Sequence, residues 1–151
     1  MRAVVQRVYD ASVSVGGSIV GSIQKGLLVY LGVHGDDNSL DSDYITKKIL
    51  RMRVYPEDEK PMHLSVIDVG GSLLIISQFT LFGSLIRGNR PDYFSAAKPQ
   101  GARPLYDEVC EKCAEYVTVE KGIFGEHMKV TYTNDGPVTL IVTSDHLSHH
   151  T

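Results

Sequence analysis

Apolar and polar residues alternate along most of this chain, a pattern that predicts β-strands separated by tight turns. Two runs are wholly apolar instead, residues 26–33 and 73–76, and we predict both as buried strands. The N-terminal segment predicts a strand over residues 2–8, followed by a hairpin over 11–23 that turns at Gly16-Gly17. Strands therefore dominate the predicted structure.

Helical periodicity occurs in two segments. The first follows Ser39, which we expect to cap a helix, and its apolar residues recur at helical spacing as Ile45, Ile49 and Met52. The second is predicted to begin at Pro104, because proline suits the first turn of a helix. Its apolar stripe comprises Leu105, Val109, Cys113, Tyr116 and Val117. Many strands with two helices indicate a mixed α and β fold, in which a largely antiparallel curved sheet or barrel-like core is covered by the helices.

Three other segments complete the pattern. Residues 64–69 predict a short strand, after which Gly70-Gly71 turns the chain into the central apolar strand. Residues 83–100 have Gly and Pro but no sustained periodicity, which is typical of a long loop that carries function or covers a site. Residues 134–137, Asn-Asp-Gly-Pro, predict a corner between two strands. Such a corner either presents main chain to a ligand or is an ordinary turn, and both interpretations stay open.

The length of 151 residues predicts one domain, which we place at residues 1–143, followed by a polar tail over 144–151. The apolar runs fall far short of the roughly 20 residues that span a bilayer. The N-terminus has no signal-peptide pattern. Hydrophobic residues make up 42% and charged residues 22%, which are ordinary globular values. We therefore expect a soluble, cytoplasmic protein with no membrane partner.

The net charge of −3 argues against nucleic-acid binding through a globally basic surface. Two local basic clusters remain. The helical cluster lies on the first predicted helix and comprises Lys47, Lys48, Arg51 and Arg53. The loop cluster lies around the long loop and comprises Arg87, Arg90, Lys98 and Arg103. The helical cluster fits a solvated charged face better. The loop cluster follows the polar end of the central strand, so it is the better candidate for contact with nucleic acid.

No arrangement of nucleophile, base and acid can be read from the sequence. Ser77 and Thr80 have no adjacent base, and there is no G-x-S-x-G motif. Cys110 and Cys113 form one C-x-x-C pair inside a predicted helix, which indicates buried thiols rather than a zinc or redox site. Three of the six histidines, His146, His149 and His150, lie in the tail. We expect no metal ion and no other cofactor.

Two stretches together resemble the signatures of the D-aminoacyl-tRNA deacylases, which are S-Q-F-T-L and N-x-G-P-x-T. Both are complete here, at residues 77–81 and 134–139. The resemblance also covers Gln6-Arg7-Val8, Gly70-Gly71-Ser72 and Arg90-Pro91, and it reaches about residue 142. It implies a deacylase-like fold and a hydrolase that cleaves the ester of D-aminoacyl-tRNA, and of glycyl-tRNA mischarged on alanine tRNA. It also implies that L-forms are rejected, which is chiral proofreading in translation.

The resemblance implies a set of site residues. The catalytic residues would be Ser77, Gln78, Phe79 and Thr80, and the residues for substrate binding and chiral selection would be Arg7, Ala97, Met128, Asn134, Gly136 and Pro137. Two of these assignments have an equally good alternative, since Met128 also suits a core position and Arg7 also suits an ion pair. The partner would be the 3′ aminoacyl-adenosine end of tRNA.

Two routes to ester cleavage are open. In the first, Thr80 or Ser77 attacks the carbonyl; in the second, the protein positions the substrate and water attacks with help from the 2′-hydroxyl of the terminal adenosine. The resemblance favours the second route. It further implies a cis Gly136–Pro137 peptide that enters the active site of the other subunit, which requires a two-fold homodimer with active sites at its interface.

Two other functions compete with this interpretation. A non-catalytic nucleic-acid binding module could use the same polar strand end and basic loop. A sister deacylase that acts on L-alanyl-tRNA has a trans proline bond and different signatures. The residues at 77–80 and Gly136 match the D-specific pattern, which favours the D-aminoacyl-tRNA deacylases.

Overall fold

The computed structural model describes residues 1–147, so His149 and His150 of the tail lie outside the described residues. Its elements in chain order are β1 (Arg2–Val15), β2 (Ser18–Ile23), β3 (Gly26–Gly32), α1 (Ser39–Arg51), β4 (Tyr55–Glu57), β5 (Lys60–Leu64), β6 (Ser72–Ser77), a short 3-10 helix (Phe79–Phe82), α2 (Pro99–Ala114), β7 (Val119–Lys121) and β8 (Lys129–Thr143). None of the helices within residues 1–147 is long and apolar enough to cross a membrane.

Six strands form one mixed sheet in the order β2-β1-β3-β6-β7, and β8 pairs with β1. β1 is antiparallel to β2, β3 and β8, whereas β3, β6 and β7 run parallel. β4 and β5 form a separate two-stranded sheet. The predicted fold class, a curved and largely antiparallel sheet covered by two helices, is confirmed. The sheet also contains two parallel pairs, which β6 forms with β3 and with β7.

The two apolar runs are strands buried on both faces, which explains why neither shows alternation. Successive side chains of a strand point to opposite faces. On one face, Leu27 and Leu73 join a core that includes Ile49 of α1 and Val109 of α2. On the other face, Leu28 belongs to a second core, enclosed by the sheet and shared with β1 and β2. The central strands β3 and β6 therefore pack against a hydrophobic core on each face.

The helix boundaries differ from the predicted ones. α1 is capped by Asn38 rather than Ser39: the Asn38 side chain accepts the Leu40 N–H at 2.9 Å, and the Asp41 carboxylate accepts the Asn38 N–H at 2.9 Å. This reciprocal pair is a capping box. α2 begins at Pro99 rather than Pro104. Both prolines suit the first turn of a helix, and the helix starts at the earlier one.

Three further predictions about secondary structure were wrong. The helix α2 ends at Ala114, so Tyr116 and Val117 of the predicted stripe lie beyond it. The strand expected over residues 64–69 is instead the end of β5, followed by turns in which Asp68 accepts hydrogen bonds from the Ser65 N–H and hydroxyl, both at 2.8 Å. These bonds lower the pKa of Asp68. The strands expected over 2–8 and 11–15 are one strand, β1.

The first residue of the predicted tail is buried. The Ser144 hydroxyl lies 2.5 Å from the N-terminal ammonium of Met1 and 2.5 Å from the Asp41 carboxylate, so it joins β1, β8 and α1. The Asp37 carboxylate accepts a further hydrogen bond from the same ammonium at 2.6 Å. The domain boundary at residue 143 stays a prediction.

Candidate active site

The central strand β6 ends in the polar stretch that the sequence singled out. Ser77, its last residue, pairs with Leu31 of β3, and the Gln78 N–H donates to the Leu31 carbonyl at 2.8 Å. The chain then leaves the sheet in the 3-10 helix, which places Phe79 and Thr80 at the surface. The hydrogen bonds of the sheet thus fix the point from which these side chains project.

A pocket of about 640 Å³ opens beside this strand end, a size that suits a small-molecule or nucleoside ligand. Its walls come from the end of β6, the loop before α2, the first turn of α2 and the turn after β7. Five of the predicted site residues line it together: Ser77, Gln78, Phe79, Ala97 and Met128. Thr80 lies next to the pocket, at the second position of the 3-10 helix.

Aromatic rings form much of the pocket wall. The Phe79 and Tyr93 rings meet edge to face, with centroids 5.0 Å apart and planes at 70°. The Tyr106 ring lies deeper, 5.7 Å from the Phe124 ring, and its hydroxyl donates to the Ile75 carbonyl at 2.7 Å. This buried hydrogen bond ties α2 to the central strand. The wall therefore offers aromatic surface on which an apolar or planar group could pack.

Several lining residues were not among the predicted site residues. They are Tyr93, Lys98, Tyr106, Phe124, Glu126 and His127. They come from three segments that only the fold brings together. Two signals were available: Lys98 belongs to the basic cluster predicted around the long loop, and Tyr106 is a polar aromatic residue in a predicted helix, which needs a hydrogen-bond partner if it is buried.

The electrostatic character of the pocket comes from α2. Pro99 and Ala102 of its first turn and the preceding Lys98 line the wall. A helix N-terminus carries a partial positive charge, and Lys98 adds a full one. Glu126 lines the same pocket. A ligand with an anionic end and a cationic end, such as an aminoacylated nucleotide, finds complementary charge here.

Nucleophilic catalysis by the strand end has no support from the geometry. The Thr80 hydroxyl accepts a hydrogen bond from the Gln78 side-chain amide. Within the described part of the chain, no carboxylate or imidazole hydrogen-bonds to that hydroxyl. An unactivated hydroxyl is a weak nucleophile. The arrangement can bind and orient a substrate with main chain and rings.

The Asn-Asp-Gly-Pro stretch is not a corner, so that prediction was wrong. It lies inside the continuous strand β8, which pairs with β1 on both sides of it. Gln6 pairs with Thr139 and Val8 with Asn134, so residues 135–138 face the single residue Arg7 and bulge out of the strand. The Gly136–Pro137 peptide bond is cis, and both residues are exposed. We call residues 135–138 the Gly-Pro bulge.

Side chains of the same chain hold the Gly-Pro bulge. The Arg7 Nε lies 3.1 Å from the Asp135 carboxylate, and its Nη1 donates to the Val54 carbonyl at 2.5 Å. The Asn134 amide donates to the carbonyls of Arg7, at 3.1 Å, and Val138, at 3.2 Å. These bonds join the bulge to β1, so its exposed main chain has one defined orientation.

The structure thus sorts the predicted site residues into two clusters. Ser77, Gln78, Phe79, Thr80, Ala97 and Met128 lie at or beside the pocket, and Arg7, Asn134, Gly136 and Pro137 form or hold the bulge. No bulge residue lines the pocket of its own chain among residues 1–147. The assigned roles stay predictions.

The C-x-x-C cysteines lie on the buried face of α2. Both are free thiols, and burial raises the pKa of each to about 12. Their sulfur atoms therefore stay protonated at neutral pH, and the interpretation as core residues holds. Within residues 1–147 no group of three or more His, Cys, Asp or Glu side chains could hold a metal ion.

These thiols predict a pH dependence of stability. In the unfolded chain a thiol ionises near pH 8.5, whereas in the folded chain each stays protonated until a pH of about 12. Because the pKa of each thiol is higher in the folded chain than in the unfolded chain, its contribution to stability is fully present below pH 8.5. This contribution is lost progressively as the pH rises above 8.5, since the unfolded chain then gains stability by ionising. We expect the free energy of unfolding to fall between pH 8 and 9.5, by up to about 1.4 kcal/mol per pH unit for each thiol.

Urea unfolding at pH 7.0, 8.5 and 9.5 measures this effect. Tyrosines of the unfolded chain ionise near pH 10 and begin to contribute toward pH 9.5, so a cysteine variant is needed to isolate the contribution of a thiol. The Cys110→Ala variant is the control, and its stability is expected to depend less steeply on pH. An identical slope in the variant and the parent would contradict the assignment to this thiol.

Two solved structures define the class of fold. A structure described as c-Myc DNA Unwinding Element Binding Protein superposes with a TM-score of 0.90 at 36% sequence identity, covering 95% of this chain and 99% of that one. A second, described as a probable eukaryotic D-amino acid tRNA deacylase, gives a TM-score of 0.81 at 16% identity, covering 93% and 97%. The second match shows the fold alone. The chain has a D-aminoacyl-tRNA deacylase-like fold.

Sequence comparisons identify the family. The family model for D-Tyr-tRNA(Tyr) deacylase matches residues 4–143. Proteins named D-aminoacyl-tRNA deacylase from Fervidobacterium nodosum and Clostridioides difficile are 52% and 49% identical, each over 95% of this chain and 97% of the relative. The chain belongs to the D-Tyr-tRNA(Tyr) deacylase family, which confirms the resemblance read from its two signatures.

Proposed function

We propose that this protein is a D-aminoacyl-tRNA deacylase, a hydrolase that cleaves the ester between a D-amino acid and the 3′ end of tRNA. The observation that supports it most directly is the pocket at the end of β6, which brings together residues of the first signature and an apolar, aromatic wall. Family membership over nearly the whole chain supports the same activity. The proposed location is the cytoplasm, and the proposed role is chiral proofreading.

Catalysis by positioning fits this site better than covalent catalysis does. The backbone amides around Phe79 and Thr80 would hold the aminoacyl group, and water would attack its carbonyl carbon. The bond from that carbon to the ribose oxygen then breaks, and the products are free amino acid and tRNA. The neighbouring 2′-hydroxyl of the RNA would assist. Orientation alone lowers a barrier by up to about 7 to 11 kcal/mol in the best intramolecular cases.

Chiral selection would come from main-chain atoms of the Gly-Pro bulge. D- and L-amino acids carry the same groups, so a site distinguishes them best by a clash with the wrong form. The bulge is exposed and held by hydrogen bonds to β1, and within residues 1–147 it does not line the pocket of its own chain. A two-fold dimer in which each bulge enters the other subunit's pocket would complete both sites. Glycine has no side chain, so glycyl-tRNA would also be cleaved.

A second candidate function is nucleic-acid binding without turnover. One observation favours it, namely that the relative at 36% identity is described as a DNA unwinding element binding protein. The two candidates differ in one measurable property, since only the deacylase consumes an aminoacyl ester.

Single-turnover hydrolysis tests the proposal. We expect the purified protein to cleave D-tyrosyl-tRNA, to leave L-tyrosyl-tRNA intact and to cleave D-tyrosyl-tRNA ending in 2′-deoxyadenosine much more slowly. Cleavage of neither ester, with RNA binding retained, would replace the deacylase by the binding module. Equal rates on the ribose and deoxyribose substrates would remove the RNA hydroxyl from the mechanism.

A further inference from the structure

The loop between the 3-10 helix and α2 is an ordered hairpin. Ser84 and Asp92 exchange backbone hydrogen bonds of 2.8 and 3.0 Å across its base. Two more backbone bonds attach its returning arm to the segment after β3: the Gly35 N–H donates to the Ser95 carbonyl, and the Ala97 N–H donates to the Val33 carbonyl, both at 2.9 Å. We call residues 83–98 the basic hairpin.

The basic hairpin exposes large apolar side chains. Phe94 is 98% exposed and Ile86 is 93% exposed. Phe94 directly follows Tyr93, whose ring lines the pocket against Phe79. An aromatic ring almost fully in water contributes nothing to the core, so its presence needs another explanation than folding.

The charge of the hairpin is opposite to that of the chain. Three cations, Arg87, Arg90 and Lys98, and one carboxylate, Asp92, give it a net charge of +2, whereas the chain carries −3. Within residues 1–147, none of these three cations forms an ion pair, whereas Arg2, Arg7 and Lys112 each have a carboxylate partner. The hairpin is therefore positioned to attract an anion.

The hairpin also separates two depressions. Its returning arm lines the pocket at the end of β6. Its outgoing arm lines a second, shallower pocket of about 470 Å³, which Arg2 and His34 also line. Phe94 lies in the returning arm between Tyr93, which lines the first pocket, and Ser95, which lines the second.

We propose that the basic hairpin binds the single-stranded nucleotides that precede the terminal adenosine, with a base stacked on Phe94 and phosphates contacted by Arg87 and Arg90. Exposed aromatic rings beside unpaired cations are the two elements of single-strand binding surfaces. The net charge of +2 favours an anionic occupant over a second copy of the same hairpin, because two hairpins that meet at a two-fold axis would bring the same cations together. This inference rests on the proposed function, because it takes the adenosine pocket as its starting point.

Two substrates separate the hairpin from the pocket. D-Tyrosyl-adenosine reaches only the pocket, whereas a D-tyrosyl minihelix with a single-stranded CCA end also reaches the hairpin. We expect Phe94→Ala to lower kcat/KM about tenfold or more on the minihelix and less than twofold on D-tyrosyl-adenosine. We expect Arg90→Ala to reduce the slope of log kcat/KM against log salt on the minihelix by about 0.7.

Tyr116→Ala and Lys60→Ala are the matched controls, since both residues are exposed and outside the pocket and the basic hairpin. Each should leave both substrates unaffected. Equal effects of Phe94→Ala on the two substrates, or none on either, would overturn the inference. A lower molecular mass of Phe94→Ala than of the parent protein, measured by sedimentation, would also overturn it. That result would make the hairpin an interface between copies of the chain.

A binding measurement tests this inference independently of the proposed activity. Fluorescence anisotropy of uncharged minihelices, with and without the CCA end, does not require hydrolysis. We expect Phe94→Ala to weaken binding of the CCA-ended minihelix only. If the parent protein cleaves neither ester, the deacylase proposal fails, and this binding difference alone decides whether the hairpin is a single-strand surface.

Discussion

Gly136→Ala is expected to lower kcat/KM for D-tyrosyl-tRNA by about 100-fold or more. Gly136 has a φ of +129°, a backbone conformation that L side chains rarely adopt. An added Cβ would also lie 2.8 Å from the Val138 Cγ2 and 2.9 Å from the Val138 nitrogen. The Gly-Pro bulge must therefore change shape, and a displacement of about 1 Å at a site that works by positioning costs about 100-fold.

The folded state should tolerate this change better than the activity does. The bulge is at the surface, and a strained backbone position costs on the order of 1–3 kcal/mol. The matched control is Gly101→Ala, because Gly101 lies in α2 with no heavy atom within 4 Å of an added Cβ. It should stabilise the protein by up to about 1 kcal/mol and leave kcat/KM unchanged. Full activity in Gly136→Ala would show that deacylation does not depend on the conformation of the bulge.

Gly32→Ala is expected to lower kcat about 10- to 100-fold, the second largest effect. Gly32 ends β3, directly against the polar stretch after β6. An added Cβ would lie 2.9 Å from the Gln78 carbonyl oxygen and 3.2 Å from both Leu81 Cβ and a ring carbon of Phe82. Because the first of these is a backbone atom, the stretch that carries Phe79 and Thr80 has to move. The substrate would then be held at a different distance from the attacking water.

Single-turnover kinetics with D-tyrosyl-tRNA measures this change, with thermal unfolding as the check on folding. Gly35→Ala is the control, since its added Cβ would meet only the Ser95 carbonyl, at an ordinary distance of 3.8 Å. We expect the control to keep its full kcat. If Gly32→Ala loses stability but keeps its turnover rate, the position of the 3-10 helix is not part of the catalytic arrangement.

Local chemistry was enough to predict the helices, the buried strands and their turns. The run at residues 73–76 was predicted as a buried strand, and it lies in β6, where Leu73, Leu74, Ile75 and Ile76 are all at most 1% exposed. The Gly16-Gly17 turn joins β1 and β2 as expected, and both glycines have the positive φ values that tight hairpin turns require. In each case a few neighbouring residues decide the conformation.

The errors arose where a local rule had more than one solution. Pro99 and Pro104 both satisfy the first-turn rule, and the helix begins at Pro99 and continues through Pro104. Residues 134–137 have the composition of a turn, yet β1 pairs with β8 on both sides of them and keeps the chain in one direction. Strand pairing across more than 100 residues outweighed the local preference there.

The sequence by itself determined the family, the fold class and the two signature stretches, because these depend on residue order and on periodicity. Only the tertiary structure decided which residues share a site. It brought Ser77, Ala97 and Met128 into one pocket and kept Gly136 away from that pocket within the chain. It also left Phe94 exposed in the hairpin that carries Arg87 and Arg90, neither of which forms an ion pair within residues 1–147. The physical reason is that a pocket is a property of packing between distant segments, and no local pattern records which segments meet.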